Sequence, residues 1–201
     1  MIDRLTLASA SPARLHTLQR AGVAVSVRVS GVDESSVTAE GTADLVAALA
    51  RLKAEAVLDA CAAEGDVAIV GCDSLLDLDG DPIGKPGTPD AAASVWRRLR
   101  GRSGTLLTGH HLIVVRDGVQ WARTATAATV VHFADVSDAE IAAYVATGEP
   151  LEVAGAFTVD GYGAAFIRGV EGDHHNVVGI SVPLLRDLLA TAGVPWPNLW
   201  R

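Results

Sequence analysis

The chain has 201 residues, of which 49% are hydrophobic and 20% charged, enough to bury a substantial core and unlike a disordered or fibrous composition. Sixteen basic against twenty-four acidic residues leave a formal charge of −8. That balance opposes long-range attraction to nucleic acid or to an anionic membrane, so a polyanionic ligand has to be small and locally cradled. Aromatic residues make up only 4%, too few for the stacking platforms of a nucleic-acid binder.

Two cysteines, Cys61 and Cys72, are too few for a disulfide framework and lack paired metal-ligand spacing. No run approaches the roughly 20 apolar residues of a spanning helix. The first residues carry no basic stretch leading into an apolar one. A reducing, cytoplasmic setting is expected, with no nucleic-acid or membrane partner.

In chain order, residues 5–8 read as a short buried strand. Ser9, Ser11 and Pro12 then offer hydroxyl caps and a first-turn proline for a helix carrying Leu15, Leu18 and Ala21 and ending at Gly22. Alternation over 23–29 predicts a second strand, followed by a polar loop with Asp33, Glu34 and Ser35. The Ala-rich stretch 42–63 predicts the longest helix, capped by Thr42, with a stripe of Leu45, Leu49, Leu52 and Ala56.

Apolar runs at 67–70 and 75–78 predict two strand segments with Asp73 between them, and Asp79-Gly80 marks a tight turn into Pro82 and Ile83. A helix from Thr88 to about Arg100, long strands over 105–115 and 119–133, a capped helix from Ser137 to Ala146 and a helix over 183–192 follow. Strands alternating with helices and interrupted by hairpins predict an α/β fold with a mixed sheet, over 1–201 as a single domain or as two lobes around a cleft. The tail, with Trp196 and Trp200, is expected to pack on the body.

Four clusters carry groups suited to phosphate chemistry. Ser9, Ser11 and Arg14 join a strand to a helix N-terminus, where free backbone N–H groups and a guanidinium make an anion site; such starts also serve simply as caps. Asp33 and Glu34 lie in a polar loop, where carboxylates are often merely solvated. Asp73 follows an apolar strand and needs a metal, a cation or a donor, or else caps a turn. Lys85 sits in a Gly-Lys-Pro frame, from which its ammonium can reach a phosphate.

Lys85 and Lys53 are the only lysines, and Lys53 can also be read as an ordinary helix-surface residue. The pairs His110-His111 and His174-His175, read as strand residues, point to opposite faces and are expected to have no metal role.

Taken in order, Leu7-Ala-Ser-Ala-Ser-Pro with Arg14, Val32-Asp-Glu, Leu49-Ala-Arg-Leu-Lys-Ala54, Gly71-Cys-Asp-Ser74, Ile83-Gly-Lys-Pro86 and Thr108-Gly109 resemble the Maf family of nucleotide pyrophosphatases. Tyr144 with Gly148-Glu-Pro150, Ala154-Gly-Ala-Phe157 and Gly172-Asp with Asn176-Val-Val-Gly179 continue that resemblance across essentially the whole chain.

It implies a mixed twisted sheet flanked by helices, of the inosine-triphosphatase-like (anticodon-binding-domain-like) architecture. It also implies hydrolysis of non-adenine or modified nucleoside triphosphates to monophosphate and pyrophosphate. By matching position, Asp73 and Glu34 become the catalytic acids and ligands of Mg²⁺ or Mn²⁺, with Co²⁺ as a third candidate. Ser9, Arg14, Lys53 and Lys85 become the groups that hold the phosphates.

Departures from the family pattern fall at Ala13, Ser74, Val153 and Asp160 and bear on the choice of base. Relatives are often homodimers. The alternative implied by the family's other name, septum formation inhibitor, is a non-catalytic nucleotide-binding regulator.

Overall fold

The computed structural model describes residues 2–201. All strands join one seven-stranded sheet in the order β2-β1-β3-β5-β6-β7, with β4 paired to β3. β1 (Leu5–Leu7) runs parallel to β2 (Val25–Val27) and to β3 (Val67–Leu78), whereas β4 (Asp81–Ile83), β5 (Ser103–Arg116), β6 (Val119–Phe133) and β7 (Ile167–Glu171) are antiparallel to their neighbours. The sheet is therefore mixed, as the hairpin signals predict.

Strand β3 differs from the sequence reading. It runs unbroken through Asp73, because β5 pairs with it continuously from Val67↔Val115 to Asp77↔Thr105. Residues 71–74 look like turn formers locally, but long-range pairing decides the conformation. On its other edge, β3 is covered by β1 only at Ala68–Val70 and by β4 only at Leu76–Leu78. Residues 71–75 consequently present a bare edge in the middle of the sheet.

The helix expected over 42–63 is two helices, α2 (Thr42–Glu55) and α3 (Leu58–Ala62). No glycine or proline marks the break. It turns Val57 and Cys61 inward to join Ala8, Ala54, Ile69 and Ile113 in a small core cluster, and that burial repays the lost helical turn. Gly41, not Thr42, is the N-cap, and the Thr42 hydroxyl donates instead to the Asp77 carboxylate. The inward face of α2 comprises Val46, Leu49, Ala50, Lys53 and Ala54, rotated from the expected stripe.

Helix α2 lies directly on sheet backbone. A Cβ on Gly71 would sit 2.1 Å from the Ala50 carbonyl oxygen, and one on Gly109 would sit 2.1 Å from that of Val46. Any side chain at these glycines would push the helix away.

The opposite face of β3, through Ala68, Val70 and Cys72, packs with Leu18 of α1 (Pro12–Arg20) and Leu185 and Leu189 of α7 (Val182–Thr191). Leu76 and Leu78 belong to a second cluster with α4 (Pro89–Leu99) and α5 (Asp138–Ala146). The buried Trp96 anchors that cluster. Its Nε1 donates to the Ala156 carbonyl at 2.7 Å, and Phe133, Tyr144 and Phe166 meet its ring edge-on. The tail closes back on the body, with Leu199 fully buried and its carbonyl accepting from the Ala24 N–H.

Gly109→Ala is expected to lower unfolding free energy by about 1–3 kcal/mol in urea titration, because α2 has to lift. Gly169→Ala, whose added Cβ would meet nothing within 4 Å, is expected to stay within about 0.5 kcal/mol of the parent.

Candidate active site

The bare edge of β3 opens into a cleft of about 720 Å³. Ser9, Arg14, Glu34, Lys53, Asp73 and Lys85, the six residues singled out from sequence, all line it. They arrive from separate places. Ser9 lies in the loop after β1, Arg14 in the first turns of α1, and Glu34 in a short 3₁₀ turn after β2. Lys53 comes from α2, Asp73 from β3 and Lys85 from the segment after β4. Parallel β1 ends at this opening, an arrangement that favours ligands in the crevice beyond a strand's carboxyl end.

Two charged groups are buried here together. The Lys53 ammonium donates to Asp73 Oδ1 at 2.6 Å and lies 2.9 Å from Glu34 Oε1. The Lys53 and Asp73 side chains are only 10% and 11% exposed, whereas Glu34 is 48% exposed at the cleft mouth. The seat of α2 on Gly71 and Gly109 places Lys53 over Asp73, so the pair follows from the close helix–sheet contact.

The Arg14 guanidinium is committed to the protein. Its Nε donates to the Gly179 carbonyl at 2.7 Å, Nη1 to Ser9 Oγ at 3.1 Å and Nη2 to Ser74 Oγ at 3.0 Å. Three of its five N–H groups are thus used, leaving two for an anion. Ser74 Oγ in turn meets Thr108 Oγ1 at 2.9 Å, and Thr108 donates to the Asn176 carbonyl at 3.3 Å. Arg14 therefore ties α1, β3, β5 and the 176–179 segment into one cradle. Ser11 caps α1 by accepting from the Arg14 N–H.

Lys85 is exposed and has no ion pair or hydrogen bond among the described residues. It is a free cation at the rim of the cleft. The far wall is formed by Glu152, Val153, Phe157, Thr158 and Asp160.

Ser74, Thr108 and Gly179 are parts of the cradle to which residue-by-residue reading assigns no role. Their hydroxyl and carbonyl groups gain meaning only through partners as far as 165 positions away. Their one visible signal is their place inside the motifs that carry the family resemblance.

Cys72 adjoins Asp73 in sequence but is fully buried, and burial pushes its thiol up to about 12, so it stays a neutral packing group. His110 is also buried. Its Nδ1–H donates to the Thr108 carbonyl at 3.0 Å and its Nε2 accepts from the Ser181 N–H at 2.8 Å, a pattern that requires the neutral ring. Burial holds its pKa down at about 4. His174 and His175 lie not in a strand, as expected from sequence, but at the start of the short helix α6 (His174–Val178) with their rings side by side.

The Maf-like protein family model matches residues 4–192. The chain belongs to the Maf family. Among curated Maf relatives, the nucleoside triphosphate pyrophosphatase of Saccharopolyspora erythraea is 56% identical over 98% of this chain and 97% of that protein. The protein of the same name from Streptomyces coelicolor is 53% identical over 98% and 94%. A solved structure, that of the Staphylococcus aureus Ham1 protein, covers 94% of this chain and 99% of that one with a TM-score of 0.45 and 13% identity, too loose a likeness to define the fold.

The pKa of His110 fixes the sign of a pH effect. Its folded value, about 4, lies below the ordinary 6.5, so its contribution is complete above about pH 6.5 and is lost as pH falls toward 4. At most about 3 kcal/mol is at stake. Urea titrations across this range are expected to lose that part of the slope in His110→Gln.

Proposed function

We propose that this protein is a nucleoside triphosphate pyrophosphatase, cleaving the bond between the α- and β-phosphates of a non-adenine or modified nucleotide to release the monophosphate and pyrophosphate. The observation that carries this reading is the gathering of Ser9, Arg14, Glu34, Lys53, Asp73 and Lys85, from five stretches of chain, around the bare edge of β3. Sequence identity of 56% over nearly full length to a pyrophosphatase supports it independently. Residues 1–201 act in this reading as one unit, with lobes on either side of the cleft. A cytoplasmic setting, expected from the two cysteines and the first residues, and a homodimer, as the resemblance implies, accompany it. Among the described residues, no helix is long and apolar enough to cross a membrane.

The donor set fits a hard divalent cation. Asp73 and Glu34 already bracket one cation, the Lys53 ammonium, and among the described residues no hydrogen bond occupies the second oxygen of either carboxylate. Asp73 and Glu34 would hold Mg²⁺ or Mn²⁺ through oxygen. Such an ion supplies neutralisation of charge on the phosphate oxygens.

The chain's own groups account for binding and orientation. The first turn of α1 offers the Ala13 N–H to a phosphate, since Pro12 has none and Ser11 caps that of Arg14; the remaining Arg14 guanidinium N–H groups add to it, and Lys85 contributes a free ammonium. Asp73 Oδ2, free of protein hydrogen bonds, orients water for in-line attack on the α-phosphorus. The new P–O bond forms as the α–β bridging bond breaks, pyrophosphate departs with the electron pair, and the water's proton passes to Asp73 if it acts as base or to bulk water if it acts as ligand. Glu152 and Asp160 line the far wall with acceptor oxygens. That wall suits a base with a ring N–H and disfavours adenine, whose pairing edge carries an acceptor nitrogen.

Pyrophosphate release from a panel of natural and modified triphosphates, with Mg²⁺, Mn²⁺ or Co²⁺, tests the reading. Activity on a non-adenine triphosphate is expected to fall roughly 10²–10⁴-fold in Asp73→Asn. Partial rescue of that variant by excess metal marks Asp73 as a ligand, and no rescue marks it as a base. Silence across the panel from folded protein would return the protein to the regulatory alternative. Lys53→Met, which leaves Asp73 buried without its counter-charge, is expected to cost about 3–5 kcal/mol in urea unfolding.

A further inference from the structure

Outside the cleft, Asp173, His174 and His175 bring one carboxylate oxygen and two imidazole nitrogens within 4.8 Å of one another. The two rings are 3.9 Å apart between centroids and tilted by 38°. Asp173 is held firmly. Its carbonyl accepts from Thr129 Oγ1 of β6 at 2.9 Å, and its Oδ1 accepts from the His175 N–H at 3.0 Å and lies 3.2 Å from His175 Nδ1.

Asp173 Oδ2, by contrast, is shut off from solvent and has no hydrogen-bond partner among the described residues. A buried carboxylate oxygen without a partner is costly, and a bound cation would relieve that cost. His174 is exposed, so a cation can reach the group from solvent.

We propose that Asp173, His174 and His175 form a second cation site, separate from Asp73 and Glu34, that takes a borderline transition metal such as Zn²⁺. Two imidazoles and a carboxylate are the donor set of a three-ligand zinc site with an open fourth position. Imidazole nitrogen selects Zn²⁺, Co²⁺ or Ni²⁺ over the Mg²⁺ and Mn²⁺ that suit an all-oxygen pair. The bond from the His175 N–H to Asp173 Oδ1 orients the carboxylate in advance of binding, while that from Thr129 holds its backbone.

The test uses the full chain, without a polyhistidine tag and stripped by chelator. Calorimetric titration with Zn²⁺ alone, and visible absorption with Co²⁺ alone, read the site without catalysis. One Zn²⁺ per chain is expected, bound at least tenfold more weakly by His174→Ala/His175→Ala and undiminished in Asp73→Asn/Glu34→Gln. Zn²⁺ is also expected to raise the melting temperature of the parent and not that of the histidine variant. His175→Ala alone serves as a second variant, with its urea midpoint measured without metal to verify folding. Equal Zn²⁺ binding by parent and histidine variants, absence of binding by the parent, or loss confined to the Asp73/Glu34 variant would each overturn the proposal.

Discussion

The cleft depends on a strand that is paired along its full length on one side and bare in the middle on the other. β5 holds β3 extended from Val67 to Asp77, so Asp73 and Ser74 are rigid although no strand covers them on the cleft side. β1 and β4 flank the gap and set its width. Successive residues on a strand point to opposite faces, so the bare edge exposes both faces at once. Asp73 meets Lys53 of α2 on one face, and Ser74 meets Arg14 of α1 on the other.

The contact of α2 with the sheet supplies the second half of that geometry. With carbonyls of α2 standing where Cβ atoms would be on Gly71 and Gly109, the helix is as close as backbone permits. Its lysine then reaches the strand's carboxylate directly. An ammonium and a carboxylate this buried are tolerated because each satisfies the other, and the half-exposed Glu34 adds a second carboxylate from the mouth of the cleft. In the proposed function, Arg14 and Lys85 would offset the phosphates locally rather than through the net field of a chain whose formal charge is −8.

Much of this was legible from residues alone. The strand and helix order as far as α5 and the capping box at Ser137 and Glu140 follow from local pattern, whereas the six cleft residues are drawn together only by the family resemblance, and β7 and α6 have no local reading as elements. What escaped was set by distant partners. Asp73 read as a break because its neighbours suit turns, whereas β5 imposes extension. The division between α2 and α3 has no local signal, since burial of Val57 and Cys61 drives it. Thr42 read as a cap but serves the Asp77 carboxylate. His174 and His175 read as strand residues on opposite faces, whereas a short helix stacks them.

In the proposed function, the cradle would let an acidic chain hold a triphosphate while the carboxylate side presents water to it. Arg14 already orders Ser9, Ser74 and the Gly179 carbonyl, so little rearrangement is needed when a phosphate arrives. The most direct measurement is a crystal structure with a nucleoside triphosphate whose α,β-bridge is a methylene group. The phosphates are predicted to lie along residues 71–75, against the first turn of α1 and within reach of Lys85, with the α-phosphorus nearest Asp73. Phosphates bound elsewhere, such as the groove between α2 and β6 lined by Arg51 and Thr124, would contradict the assignment of the cleft.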